Sequence, residues 1–282
     1  MSPVRCSEVS LAAGESLAAT ATNAEHWLLL EVRGAWPRDV SAEGVLSEAV
    51  QEALSAWLEQ MAGARLVFVR RPGRSAGRQL AFVIHAAEST ATVRRIELDG
   101  AGDLAAVDFA TDGELTDQRL VLVCGHGTRD ACCALRGAAV YGALAPRCGD
   151  EEVWISSHHG GHRFAANVLV LPNGLHFGRV DTQSAPLVVA RALAGRIDLE
   201  HYRGRTCYAT NVQAAERVVR EARDLESVAD LHLVGVDGSV VRFRAWNGPE
   251  YAALVEETVG PSVPASCGAQ PEPQKALSAR IL

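Results

Sequence analysis

Apolar positions along this chain fall into short runs and one-faced helical patterns, separated by clusters of small and polar residues. Residues 27–34, WLLLEVRG, make a mostly apolar run ended by Ala35-Trp36-Pro37, which predicts a buried strand. Residues 47–61 place Val50, Ala53, Leu54, Trp57, Leu58 and Met61 at helical spacing and predict an amphipathic helix. Residues 64–71, 78–86 and 92–100 are rich in Val and Ile, and predict three further strands. After the small, polar stretch 110–114 the pattern restarts: a strand over 119–127, a helical stretch over 134–144 and a strand over 153–157. In 167–180 two apolar runs flank Pro172-Asn173-Gly174, whose Asn-Gly pair signals a hairpin. Residues 185–193 and 212–225 predict helices, the latter with Ala215, Val218, Val219 and Ala222 on one face.

Both halves thus run strand, helix, strand, strand pair, helix, an order compatible with a thioredoxin-like layout, although no residue-level repeat accompanies it. Residues 231–246 predict a hairpin around Asp237-Gly238, followed by a short helix over 249–257. The last stretch, 260–282, holds four prolines and few large apolar residues before its end, and reads as mobile. The expected fold is α/β: two thioredoxin-like domains in tandem, 1–112 and 113–226, with a C-terminal β-hairpin/helix extension and mobile tail over 227–282.

Composition narrows the function classes. At 282 residues the chain exceeds the usual domain size of about 100 to 150 residues, in keeping with two units. A net charge of -7 argues against general affinity for nucleic-acid phosphate. No run approaches the roughly 20 apolar residues that cross a bilayer, and the N-terminal stretch lacks the apolar core of a secretory signal. Seven cysteines, an odd count with Cys132 and Cys133 adjacent, fit a reducing setting. The expectation is a soluble, cytoplasmic protein without nucleic-acid or membrane partners, its oligomeric state open.

The candidate chemistry lies in two segments, VLVCGHGTRDACCALRG around Cys124 and Cys133, and SSHHGGHRFAANV around His158 and His162. Two thiolates and two imidazoles make a complete ligand set for tetrahedral zinc, or for an iron-sulfur cluster in which histidines replace two cysteines. Cys124 ends a predicted strand and opens a loop into a helix, where α/β sheets commonly place ligands. Gly160 and Gly161 make an unbroken helix between His158 and His162 unfavourable, yet a tight loop still aims both rings the same way. The same residues admit a thiol oxidoreductase in which Cys124 acts with Cys132 or Cys133, or an interaction module in which the metal is structural. Candidates for orienting the ligands are His126, Arg129, Asp130 and Asn167. Cys6, Cys148, Cys207 and Cys267 read as small hydrophobes, and His26, His85, His176, His201 and His232 as surface or satisfied core.

The motifs C-x-H-x-x-R-D-x-x-C at 124–133 and H-x-G-G-H-x-F-A-x-N-V at 158–168 resemble the sucrase/ferredoxin-like family of thioredoxin-like ferredoxins. The resemblance implies a two-iron two-sulfur (2Fe-2S) cluster, with Cys124 and Cys133 on one iron and His158 and His162 on the other, and an N-terminal domain without a cluster. The family usually has Arg before the second cysteine and Gly after it; here Cys132 and Ala134 stand there, so Cys132 is an alternative ligand, although the register of Arg129-Asp130 favours Cys133. The implied function is electron transfer or redox sensing with a partner such as a reductase, an electron carrier more than a self-contained enzyme. Zinc on the same four ligands is the alternative cofactor.

Overall fold

The computed structural model describes residues 5–41, 46–61, 63–73, 77–149 and 151–282; the first four residues of the N-terminal stretch that lacks a signal-like apolar core lie outside these. In the first half, helix α1 (Cys6–Ala12) precedes strand β1 (His26–Glu31), helix α2 (Glu48–Gln60) and strands β2 (Arg65–Arg70), β3 (Gln79–His85), β4 (Thr92–Leu98) and β5 (Glu114–Thr116). The second half continues with β6 (Leu120–Cys124), α3 (Ala131–Leu144), β7 (Val153–Ser156), β8 (Val168–Leu171), β9 (Leu175–Phe177), α4 (Ala185–Leu193), β10 (Tyr202–Arg205) and α5 (Thr210–Arg223). Four strands close the chain: β11 (Leu231–Asp237), β12 (Val240–Ala245), β13 (Glu250–Pro264) and β14 (Pro271–Ile281).

Ten strands form one mixed sheet in the order β10-β9-β8-β6-β7-β2-β1-β3-β4-β5, and the last four form a second sheet. The protein is therefore mixed α/β. The same local order recurs in both halves, β2-β1-β3-β4 and β7-β6-β8-β9, each with one parallel pair joined through a helix and antiparallel strands beside it. Parallel neighbours need a crossover, and α2 and α3 supply it. The halves meet edge to edge where β2 and β7 pair antiparallel, Val69 opposite Ser156 and Arg70 opposite Ile155. Beneath that seam, Trp27, Leu29, Val67 and Phe82 of the first half share one apolar cluster with Leu120, Leu122, Trp154 and Leu169 of the second.

The C-terminal extension differs from expectation. The short helix predicted over 249–257 is the start of β13, and the stretch read as mobile is the paired β13–β14 hairpin, with Ala253 opposite Ile281 and Val263 opposite Glu272. Its apolar residues have a period of two: Tyr251, Ala253 and Val255 join Val212, Ala215 and Val219 of α5 in a cluster that seats the second sheet. Pro271 and Pro273 are tolerated because β14 is an edge strand, where a missing N–H breaks no ladder within the sheet. Among the described residues no helix is long and apolar enough to cross a membrane.

Candidate metal centre

Strands β6 and β7 are parallel neighbours with Cys124 opposite Ser156, so the loops that leave their ends lie side by side. Cys124 is buried at the last position of β6, its N–H donating to the Asn167 carbonyl at 3.1 Å. The chain then turns through His126, whose carbonyl accepts from the Arg129 and Asp130 N–H groups, and Asp130 caps α3 by accepting from Cys132 N at 2.8 Å. That cap puts Cys133 in the first turn of α3, facing back to the strand end. The reactive atoms of Cys124, Cys133 and His158 all lie within 4.8 Å of one another, with Cys124 Sγ 3.9 Å from His158 Nδ1.

Helix α3 lies so close to the strand that a Cβ on Gly137 would sit 2.0 Å from the Cys124 carbonyl oxygen. Only hydrogen fits there. Gly137→Ala is expected to push α3 outward and lower stability by about 2–3 kcal/mol, as overpacking does; an unchanged urea midpoint would show that the helix can shift without penalty.

The second loop depends on two glycines. Gly160 and Gly161 have φ of +112° and +71°, and a Cβ at either would meet Thr22 Oγ1 at 2.1 Å or the Arg203 guanidinium at 2.4 Å. Gly161 opens a one-turn 3-10 helix over His162–Phe164, which brings the His162 ring to 4.9 Å from that of His158, centroid to centroid. The loop is held from several sides. Asn167 Nδ2 donates to Gly161 O at 2.9 Å, Thr22 Oγ1 donates to the His159 carbonyl, and the His158 N–H donates to His126 Nδ1 at 3.1 Å. His126 completes its pairing by donating from Nε2 to Pro37 O at 2.7 Å, which fixes its tautomer.

Arg203 in β10 is the buried anchor of this loop. Its Nη1 donates to Gly160 O at 3.0 Å and to Asn167 Oδ1 at 2.8 Å, and Nη2 donates to Thr20 O. Burial lowers its pKa to about 9, so it remains cationic at neutral pH beside the two thiols. Within the thiol pair, the Cys133 S–H holds Cys124 well below its ordinary value, with a smaller contribution from His158, while Cys133 is pushed up. Burial also lowers His162, which favours the neutral ring a metal requires.

The structure separates the adjacent cysteines. Cys133 faces Cys124, whereas the Cys132 thiol lies 3.6 Å from Cys6 and 3.3 Å from Cys267. Of the residues expected to orient the ligands, His126 and Asn167 hydrogen-bond the 158–162 loop, Asp130 caps α3, and Arg129 is half-buried at the turn, where its charge acts on Asp39 and His126. His159 turns away to His176, Nδ1 to Nε2 3.1 Å, and burial lowers it to about 4. His176, read from the sequence as surface or satisfied core, is buried and hydrogen-bonded, whereas the parts played by Arg203 and Thr22 were not found from the sequence. A lone Arg in a four-residue strand and a Thr 136 positions before His158 carry no local signal of the loop they hold.

A family described as sucrase/ferredoxin-like matches residues 17–204. The chain is 32% identical over 146 residues to Altered inheritance of mitochondria protein 32 of Eremothecium gossypii, which covers 47% of this chain and 46% of that protein. It is 35% identical over 95 residues to the protein of the same name from Debaryomyces hansenii, covering 30% of this chain and 35% of that one. The chain thus spans about half the length, or less, of these curated relatives. No solved structure matches. These findings correct the expected function: the relatives are named for mitochondrial inheritance, and nothing in the comparisons supports 2Fe-2S electron transfer or redox sensing, or the zinc and thiol-oxidoreductase functions set beside it. The iron-sulfur description is corrected with it, since what the fold displays is close groups of thiols and imidazoles. By the match over 17–204, which takes in both loops and the Arg203 that anchors them, the chain belongs to the sucrase/ferredoxin-like family.

Proposed function

We propose that this protein binds a metal through Cys124, Cys133, His158 and His162. The observation that carries the reading is His162 Nδ1, which is buried with no hydrogen-bond partner while its ring lies 4.9 Å from that of His158, although the group of mutually close donors comprises Cys124, Cys133 and His158 without it. A buried polar atom left unpaired costs about 1–3 kcal/mol, and a ligand bond removes that cost. Two thiolates and two neutral imidazoles are the donor set of zinc and of histidine-ligated iron clusters. When bound, the metal supplies a positive centre that keeps both thiols ionised and ties the β6 and β7 loops together.

Elemental and acid-labile sulfide analysis of the anaerobically purified full chain tests this. Stoichiometric metal in the wild type, reduced in His162→Ala, is the expected result, and the sulfide content separates a cluster from a single ion. Wild-type protein with only background metal overturns the proposal. Arg203→Lys keeps a cation but loses the fork that holds Gly160 and Asn167. Metal affinity is expected to fall about 10- to 100-fold, as with other supporting residues, read by chelator competition; unchanged affinity would reduce Arg203 to a structural part.

The recurring strand order supports two thioredoxin-like units joined edge to edge, with the boundary expected at 112 moved past β5, which pairs with β4 of the first unit. A reducing compartment is supported by seven cysteines that are all free. The relatives' name refers to mitochondria, so the compartment we propose shifts from the cytoplasm toward the mitochondrion, and cell fractionation tests it.

A further inference from the structure

Cys6, Cys132 and Cys267 come from helix α1, the first turn of α3 and the loop joining β13 to β14. Their sulfurs form a triangle with sides of 3.6, 3.3 and 3.7 Å. Asp130 Oδ1 stands 3.3 Å from Cys267 Sγ and 3.8 Å from Cys6 Sγ, and all four donor atoms lie within 4.8 Å of one another. We propose that these four residues form a second metal site, for a single zinc-class divalent cation, separate from the centre at Cys124.

Geometry favours an ion over the alternatives. Around a tetrahedral ion with metal–sulfur bonds of about 2.3 Å, neighbouring sulfurs are about 3.8 Å apart, close to the observed sides. A disulfide needs about 2.05 Å between two sulfurs, and would leave the third thiol and the carboxylate unexplained. Cys6 and Cys132 are fully buried and Asp130 nearly so. Burying a carboxylate among three thiols without a cation is costly, because each further ionisation opposes the last.

The surroundings suit an anionic ligand set. Both Asp130 oxygens accept backbone N–H bonds, from Cys132 and Cys267, each at 2.8 Å, which orients the carboxylate. Ser7 Oγ donates to Cys132 Sγ at 3.3 Å and accepts from Arg136 Nε at 3.0 Å, bringing a cation within one bond of the thiol. The positive end of α3 adds to this. The ion would clamp three segments as far apart as 261 positions in the chain. The same hairpin loop brings the Ala265 carbonyl to the His162 ring, so closing the clamp also steadies a ligand of the first centre.

The test uses the full chain, reduced and stripped of metal, titrated anaerobically with Co2+ as a spectroscopic probe. Cys124→Ser/Cys133→Ser, which disables the first centre, is expected to retain one equivalent with intense sulfur-to-cobalt charge-transfer absorption. Cys267→Ser and Cys6→Ser are each expected to take up one equivalent less than the wild type. Cys267 is half-exposed in its loop, so its variant keeps the fold even if Cys6→Ser does not. Undiminished uptake by Cys267→Ser overturns the second site, as does a Cys132–Cys267 disulfide mapped in anaerobically purified protein. If the wild type binds a single equivalent that Cys267→Ser loses and Cys124→Ser/Cys133→Ser keeps, the second site stands and the first reading falls.

Discussion

Cys124→Ser is expected to lose its metal at the first centre and remain folded. A metal-bound cysteine is a thiolate, and Cys124 ends β6 within 4.8 Å of the donor atoms of Cys133 and His158, with the Cys133 S–H and His158 holding its thiol below its ordinary value. A serine hydroxyl stays protonated at neutral pH and replaces that negative donor with a weak neutral one. Structural zinc sites bind with about 10–16 kcal/mol; one ligand in four then carries roughly 2.5–4 kcal/mol, or about 60- to 1,000-fold in affinity. Chelator competition reads that loss. The fold survives because the substitution changes one atom, and the Cys124 N–H bond to Asn167 O and the β6–β7 ladder are backbone contacts. Full retention of metal with unchanged affinity would remove Cys124 from the ligand set.

The largest expected effect on stability lies behind the centre. Glu216 and Arg220 form an ion pair at 2.9 Å on α5 with both side chains wholly buried. The Tyr202 hydroxyl donates to Glu216 at 2.9 Å, and Arg220 Nη1 donates to the carbonyls of Leu225 and Ser227. Glu216→Ala would leave the guanidinium buried without its counter-charge, at a cost of about 3–5 kcal/mol. Urea denaturation is the measurement, and Glu216→Gln, which keeps an acceptor for Tyr202, is expected to recover part of the loss. A change below about 1 kcal/mol would mean that water reaches Arg220. Tyr202 is the neighbour of Arg203 in β10, so the same pair helps seat the strand that anchors the ligand loop.

Much of the frame was legible because it is written in local patterns. The apolar runs that became β1 and β6 bury both faces of their strands, and the 3.6-residue spacing of Val50, Leu54 and Trp57 buries one face of α2. The expectation failed where pairing outweighs local pattern. Residues 249–257 match a helix in isolation, yet β12 and β14 on either side give that backbone its hydrogen bonds and make it strand. β10, with the sequence YRGR, has no apolar run to announce it and exists by pairing with β9.

The candidate site divides the same way. The sequence by itself determined the donor types, their place at the ends of successive strands, and the glycines that let the second loop turn, because each is a property of a short stretch of chain. Only the tertiary structure decided which neighbour of the Cys132-Cys133 pair faces Cys124, since one residue along a helix rotates a side chain by about 100°. It alone brought Arg203 under the ligand loop and gathered Cys6, Cys132 and Cys267 around Asp130. Those contacts join residues far apart in the chain. Their proximity is set by how the sheets, α1 and the last hairpin pack, and no local pattern encodes it.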